Sequence, residues 1–201
     1  VFMVVFTTAL SFGLTYMFGY EDEASSVPAE DEEAGAIIEE ETTGTVPASL
    51  QDETIISPIV GQAVALENVN DPVFSSGAMG QGIAIKPTEG VVYAPADAEV
   101  TIAFATGHAF GLKTANGAEV LIHVGIDTVS MNGEGFDQKV AQGDKVKAGD
   151  VLGTFDSAKI AAAGLDDTTM VIVTNTADYA SVTPVANGAV DKGDAIIEVK
   201  A

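Results

Sequence analysis

The 201-residue chain contains no cysteine and no arginine, and each absence excludes a class of function. Without cysteine there is no disulfide, no thiolate metal site and no cysteine nucleophile. The basic residues are eight lysines against 30 Asp and Glu, which gives a net charge of −22. Nucleic-acid binding needs a basic surface, so this balance excludes a nucleic-acid partner. A hydrophobic fraction of 47% argues against a wholly disordered chain.

The charge is distributed in three zones, and the first, residues 1–20, carries none. Twenty helical residues rise about 30 Å, the thickness of a bilayer core. Tyr16 and Tyr20 lie near one end, where aromatic side chains favour the membrane interface. A transmembrane helix is therefore expected, with a signal peptide or a buried core helix as alternatives. The first residues lack the basic charge that a signal peptide usually has.

The second zone, residues 21–53, contains 12 acidic residues and no basic one. High like charge together with Pro and Ser prevents the burial of enough apolar surface to offset chain ordering. Charge repulsion also keeps such a segment extended. We expect a disordered acidic linker between a membrane part and a folded part.

The third zone, residues 54–201, consists of short apolar runs separated by turn residues. This pattern predicts an all-β domain, an antiparallel β-sandwich or barrel-sandwich with short helical turns. Asn-Gly and Gly-Asp pairs mark the turns, and Ser157–Gly164 is a short helix with Ser157 as its N-cap and Gly164 as its stop. The apolar runs predict strands at Thr54–Val60, Gln62–Leu66, Ile83–Lys86, Val91–Ala94, Val100–Ala105, Ala109–Lys113, Glu119–Val124, Val151–Phe155, Met170–Thr174 and Ala195–Lys200.

The chain has only two histidines, His108 and His123, so any histidine chemistry uses one or both. The run Glu119–Asp127 is apolar on both faces, which predicts a buried central strand. Partial desolvation there favours the neutral imidazole, whose free nitrogen lone pair is a nucleophile at pH 7. His108 heads the next predicted strand, and two adjacent antiparallel strands could bring the rings together.

Three chemistries fit a pair of histidines: phosphoryl acceptance on a ring nitrogen, zinc binding and general base catalysis. Zinc would use His108, His123 and Asp127, but zinc hydrolysis normally needs three protein ligands and a base, and no further histidine remains. A serine hydrolase is disfavoured because no serine lies in a G-x-S-x-G context. A structural histidine satisfied by the backbone is the remaining alternative.

Residues 117–129, GAEVLIHVGIDTV, resemble the signature of the glucose-type IIA domain of the bacterial phosphoenolpyruvate-dependent sugar phosphotransferase system. That signature is a Gly, two variable residues, three aliphatics, His, an aliphatic, Gly, an aliphatic, any residue, Thr, and Ala or Val. Further similar segments are QGIAIKPT at 81–88, Ala94-Pro95, TGHAF at 106–110 and GEGF at 133–136. The resemblance covers roughly Ile55 to Val199 and departs at Gly107, where some members carry a polar residue.

The resemblance implies that His123 is the phosphorylated residue, through Nε2, with no metal or cofactor. It implies that His108 stabilises the phosphate in transit and that Thr106 hydrogen-bonds within the histidine pair. The Gly125 carbonyl would accept from Nδ1 of His123, and Asp127 would flank the site.

The resemblance also implies a docking surface for protein partners. Phe104 flanks the site and, with Val124, would form an apolar rim, while Asp71 and Phe74 would lie near the docking surface. The partners would be the histidine-containing phosphocarrier protein as donor and a IIB domain cysteine as acceptor.

The order of the three zones resembles β-glucoside, sucrose or trehalose permeases, in which IIA follows the membrane domain IIC. Residues 1–20 would then be the last transmembrane helix of a truncated IIC, placing the protein at the cell membrane with IIA on the cytoplasmic side. Two alternatives remain from the sequence: a membrane-anchored zinc hydrolase and a regulatory IIA-like module that does not transfer phosphate.

Overall fold

A computed structural model describes residues 50–201, and this part of the chain is built almost entirely from antiparallel β-strands. Two short α-helices interrupt them, α1 (Pro72–Ser75) and α2 (Ser157–Ala162), along with three short 3₁₀ turns. The strands are β1 (Glu53–Ile56), β2 (Gly61–Ala65), β3 (Gln81–Pro87), β4 (Val91–Tyr93), β5 (Ala98–Ala103), β6 (Ala109–Thr114), β7 (Glu119–His123), β8 (Phe136–Gln138), β9 (Lys145–Val146), β10 (Val151–Phe155), β11 (Thr169–Val173), β12 (Ser181–Pro184), β13 (Gly188–Val190) and β14 (Ala195–Lys200).

The strands form one eight-stranded sheet, in the order β13-β2-β3-β11-β7-β6-β5-β9, and two three-stranded sheets. The small sheets have the orders β1-β14-β12 and β4-β10-β8. Every strand pair among the described residues is antiparallel. The all-β antiparallel prediction is confirmed for this part of the chain.

Both faces of β11, in the middle of the large sheet, are covered. Alternate residues of a strand point to opposite faces. Along β11, Val171 and Val173 join the main core, which residues of all three sheets share, whereas Met170 and Ile172 join a smaller cluster. That smaller cluster also contains Phe74 of α1. All five residues of β11 are buried, and four of them are apolar, as expected for a strand covered on both faces.

The alternation along β7 sets the face of the sheet on which His123 lies. In β7, Val120 and Ile122 belong to the main core, while Leu121 and His123 are only half-buried. His123 pairs in register with Met170, a member of the smaller cluster, so the histidine is on the face away from the main core. The prediction of a central strand is confirmed, but its burial on both faces is incomplete at the histidine.

Several elements were not evident in the sequence. The strands β8, β9, β12 and β13 are two to four residues long and carry too few apolar residues to show a period. The N-cap of α2 is Asp156, not Ser157: its carboxylate accepts hydrogen bonds from the backbone of Ala158 and Lys159. Gly164 follows α2 with a φ of +78°, as predicted for its stop.

Within residues 50–201, no helix is both long and apolar enough to cross a membrane. The predicted transmembrane helix at residues 1–20 lies outside the described residues, and so does nearly all of the predicted linker at 21–53.

Candidate functional site

The two histidines lie side by side at one end of the strand pair β6–β7. Ala109, the first residue of β6, pairs with His123, the last residue of β7. His108 directly precedes β6, and its carbonyl accepts a hydrogen bond of 2.8 Å from the backbone N–H of Val124. The ring centroids are 5.1 Å apart at an interplanar angle of 79°. The strand register thus brings both histidines of the chain into direct contact, as predicted.

The ring of His123 is held by the backbone that follows its own strand. Its Nδ1 lies 2.8 Å from the Gly125 carbonyl oxygen. A carbonyl can only accept, so Nδ1 carries the proton, and in the neutral ring Nε2 keeps a free lone pair. Gly125 has a φ of +77°, a conformation that favours glycine. The predicted contact between His123 and Gly125 is therefore present.

His108 is 4% exposed, and its Nδ1 lies 2.5 Å from Oγ1 of Thr106. The tight turn Phe104–Gly107 places both residues, because the N–H of Gly107 donates to the carbonyl of Phe104 at 2.7 Å. If the Thr106 hydroxyl donates to Nδ1, the neutral ring of His108 carries its proton on Nε2. The two neutral rings then differ: His123 presents a lone pair at Nε2 and His108 presents a donor.

Desolvation keeps both rings neutral. Burial, with a smaller contribution from the neighbouring His123, lowers the pKa of His108 from 6.5 to about 4. Burial also lowers the pKa of His123, and the Gly125 carbonyl and the carboxylates of Asp71 and Asp127 oppose it without reversing the direction. The neutral form that nucleophilic attack requires is thus the dominant one at pH 7.

Two aromatic rings flank the histidine pair. The Phe74 ring lies 5.2 Å from that of His123, and the Phe104 ring lies 5.3 Å from that of His108. Asp71 caps α1, since its carboxylate accepts from the N–H groups of Val73 and Phe74 at 2.8 and 3.1 Å. This cap holds Phe74 over the imidazole. Asp71, Phe74 and Phe104 therefore do assemble around the site.

Val124 does not contribute to an exposed apolar rim. Its side chain is 0% exposed and belongs to the main core, because it continues the alternation of β7 toward that face. Among the described residues, the exposed large apolar side chains near the site in sequence are those of Val73, Ile102 and Val129. Each lies within two residues of a site residue.

Sequence reasoning missed two residues that support the Gly125 loop. Thr128 is fully buried and donates from Oγ1 to the Val124 carbonyl at 2.5 Å. The carbonyl of Asp166 accepts from the N–H of Ile126 at 2.8 Å. The Thr of the signature was a signal for Thr128, but nothing in the sequence links Asp166 to a loop 40 residues earlier.

Zinc ligation by His108, His123 and Asp127 was one of the chemistries that the sequence left open. In the part of the chain that the structure describes, no group of three His, Asp or Glu side chains is arranged to hold a metal ion. The geometry instead offers one nucleophilic ring nitrogen, a second imidazole beside it and an aromatic border.

An all-β scaffold that holds two contacting neutral histidines, one with a fixed tautomer, defines a candidate phosphohistidine carrier. The family model described as "phosphoenolpyruvate-dependent sugar phosphotransferase system, EIIA 1" matches residues 53–179. The chain belongs to this EIIA family, whose members are components of the phosphoenolpyruvate-dependent sugar phosphotransferase system.

Named relatives agree with this membership. The chain is 45% identical to a β-glucoside-specific EIIBCA component of Dickeya chrysanthemi, over 95% of this chain and 30% of that protein. It is 46% identical to a glucose-specific EIIA component of Bacillus cereus, over 71% of this chain and 86% of that protein. The solved glucose permease IIA of Mycoplasma capricolum is 34% identical with a TM-score of 0.68, covering 74% of this chain and 96% of that one.

Proposed function

We propose that this chain carries a phosphoryl group on Nε2 of His123, between the histidine-containing phosphocarrier protein and a cysteine of a IIB domain. The observation that carries the proposal is the 2.8 Å contact between Nδ1 of His123 and the Gly125 carbonyl. This contact favours the tautomer with the proton on Nδ1, which leaves the Nε2 lone pair free to attack phosphorus.

The exchange is balanced without a cofactor. The Nε2 lone pair of His123 forms a bond to phosphorus while the bond from phosphorus to the donor nitrogen breaks, its electron pair remaining on the donor. In the second step the cysteine thiolate of IIB attacks, and the electrons of the N–P bond return to Nε2. Such transfers depend on positioning and electrostatics more than on acid–base help.

His108 is suited to hold the phosphoryl oxygens during both steps. With Nδ1 accepting from Thr106, its Nε2–H is free to donate to an oxygen of the group on His123. The ring contact of 5.1 Å places it beside the reacting nitrogen. A neutral donor binds the phosphate more weakly than an arginine would, so the group remains transferable.

Exposed apolar side chains near the site in sequence support docking of both partners there. Val73, Ile102 and Val129 are 52%, 48% and 55% exposed, and Phe104 is half-buried. We expect Val73→Asp to raise the KM for the phosphocarrier with little change in kcat, because it charges the contact surface but not the rings. Val185→Asp changes an equally exposed valine in a segment without site residues and serves as the control.

The place of the domain in a longer protein follows from the β-glucoside relatives. The alignment with the Dickeya EIIBCA component spans 195 residues, more than the 152 residues from 50 to 201. The similarity therefore extends into the zones before the domain, which supports residues 1–20 as the last helix of a IIC domain and 21–53 as its linker. The protein would lie at the cell membrane with IIA on the cytoplasmic side. The shared core of the three sheets supports the narrower β-sandwich assignment.

The direct test is the intact mass of the chain after incubation with phosphoenolpyruvate, Enzyme I and the phosphocarrier protein. We expect a gain of one phosphoryl group that is labile in acid and absent from His123→Ala. The His108→Gln variant should accept the group but pass it slowly to IIB. Stoichiometric labelling of His123→Ala, or no labelling of the wild type, would overturn the proposal.

A further inference from the structure

The peptide between Gly125 and Ile126 is hydrogen-bonded at both of its ends. Its carbonyl oxygen accepts from Nδ1 of His123 at 2.8 Å, and its N–H donates to the Asp166 carbonyl oxygen at 2.8 Å. From this geometry we infer that Asp166 is a positioning residue: it fixes the peptide that sets the tautomer of His123. Asp166 itself does not touch the reacting nitrogen.

The Asp166 carbonyl is held by a local turn. Oδ1 of Asp166 accepts from the N–H of Thr168 at 2.8 Å and from its Oγ1 at 2.6 Å. Thr168 is 4% exposed, so the turn is anchored on a buried residue, while Asp166 itself is exposed. An Asp side chain that accepts from the N–H two residues on closes a turn of defined geometry. The carboxylate of Asp166 thus fixes the direction of its own carbonyl.

The loop is confined on its other side by Thr128. The Thr128 hydroxyl donates to the Val124 carbonyl, and a Cβ at Gly125 would overlap the Thr128 methyl group and lie 2.8 Å from the Asp166 carbonyl oxygen. The Cα of Gly125 is therefore packed closely against Thr128 and the Asp166 carbonyl, which leaves no room for a side chain at this position. A peptide hydrogen-bonded at both ends is also polarised, which strengthens its carbonyl as an acceptor.

The inference deepens the proposed function, and its main readout is independent of transfer. Long-range ¹H–¹⁵N spectra of the unphosphorylated chain report which nitrogen of His123 carries the proton. In the wild type we expect the Nδ1–H form to dominate. In Asp166→Ala its share relative to the Nε2–H form should fall roughly five-fold, the weight of a net hydrogen bond of about 1 kcal/mol.

Two further variants separate positioning from general destabilisation. Asp166→Asn keeps the acceptor oxygen for Thr168 and should restore the wild-type tautomer ratio, whereas Thr168→Val removes one of the two bonds and should show a smaller shift. Asp194→Ala is the control, because the Asp194 carboxylate also closes a turn, by accepting at 2.8 Å from the N–H of Asp191 three residues earlier, in a loop without site residues.

Phosphoryl acceptance should follow the population of the Nδ1–H form, with the rate falling in proportion to that population in Asp166→Ala and recovering in Asp166→Asn. An unchanged tautomer ratio in folded Asp166→Ala would overturn the inference while leaving the phosphohistidine proposal intact. A shift of equal size in Asp194→Ala would also overturn it. Failure of the wild type to accept a phosphoryl group is the separate result that overturns the proposed function.

Discussion

Acidification should destabilise the folded domain through His108 before most carboxylates titrate. The pKa of this ring is about 4 in the folded protein, against 6.5 when unperturbed, and the residue is 4% exposed. At pH 7 the His108 ring is mostly neutral in both the folded and the unfolded states. As the pH falls below 6.5 the unfolded chain takes up the proton first, so stability is complete above 6.5 and declines toward pH 4.

The size of this loss follows from the two pKa values. Each pH unit between them costs about 1.4 kcal/mol, so lowering the pH from 7 to 5 should remove about 2 kcal/mol through His108. His123 adds to the loss in the same direction, since burial lowers its pKa as well. The His108→Gln variant has no proton to take up there, and its loss over this range should be smaller by about 2 kcal/mol.

Urea unfolding of the wild type and of His108→Gln at a series of pH values from 7 to 5, followed by far-UV circular dichroism, measures the difference. Asp and Glu ordinarily titrate near 4, so the histidines dominate this range. His123→Gln is the companion variant and should retain most of the His108 contribution. Parallel curves for the wild type and His108→Gln would refute the assignment of a desolvated neutral ring.

Two pairs of substitutions and one truncation test the fit at Gly125, the cap of α2 and the boundary of the domain. Gly125→Ala should unfold at a markedly lower urea concentration and accept a phosphoryl group poorly. Gly164→Ala, at a position with a φ of +78° and nothing within 4 Å of the added Cβ, should lose only the roughly 1–2 kcal/mol that a left-handed conformation costs a residue with a side chain. Similar losses of unfolding free energy in the two variants would contradict the tight fit at Gly125. Asp156→Ala should lower the free energy of unfolding, measured in urea, by about 1 kcal/mol, and Ser157→Ala should change it little, because Asp156 caps α2. A larger loss in Ser157→Ala than in Asp156→Ala would instead support Ser157 as the N-cap. Residues 50–201 alone should fold and accept a phosphoryl group by intact mass, and their failure to fold would contradict the linker assignment.

The parts of the fold that the sequence predicted are those with an unbroken apolar run or a strong turn residue. The strands β7, β10, β11 and β14 were predicted within one residue of their observed ends, and the meeting of the histidines followed from their places on neighbouring strands. Short edge strands such as β9, with two residues, carry no period to detect.

The hydrogen bond that holds the Gly125 loop joins backbone groups far apart in the chain, which explains why the sequence did not reveal it. A carbonyl can accept from any residue type at the donor position, so the contact of Asp166 with Ile126 leaves no trace in the identity of either residue. The burial of Val124 was missed for a related reason: residues after the end of a strand still follow its alternation, but their exposure depends on what covers that face.

A carrier must accept and release its group with similar ease, and the partner of Nδ1 on His123 is suited to this. A carboxylate on Nδ1 would fix the same tautomer, but it would also raise the basicity of the ring and stabilise the phosphorylated form. The Gly125 carbonyl fixes the tautomer with a neutral acceptor, and the carboxylates of Asp71 and Asp127 raise the pKa of His123 less than that carbonyl does. On the proposed role of His123, the site would provide the free Nε2 that attack requires and would bind the phosphorylated form only moderately.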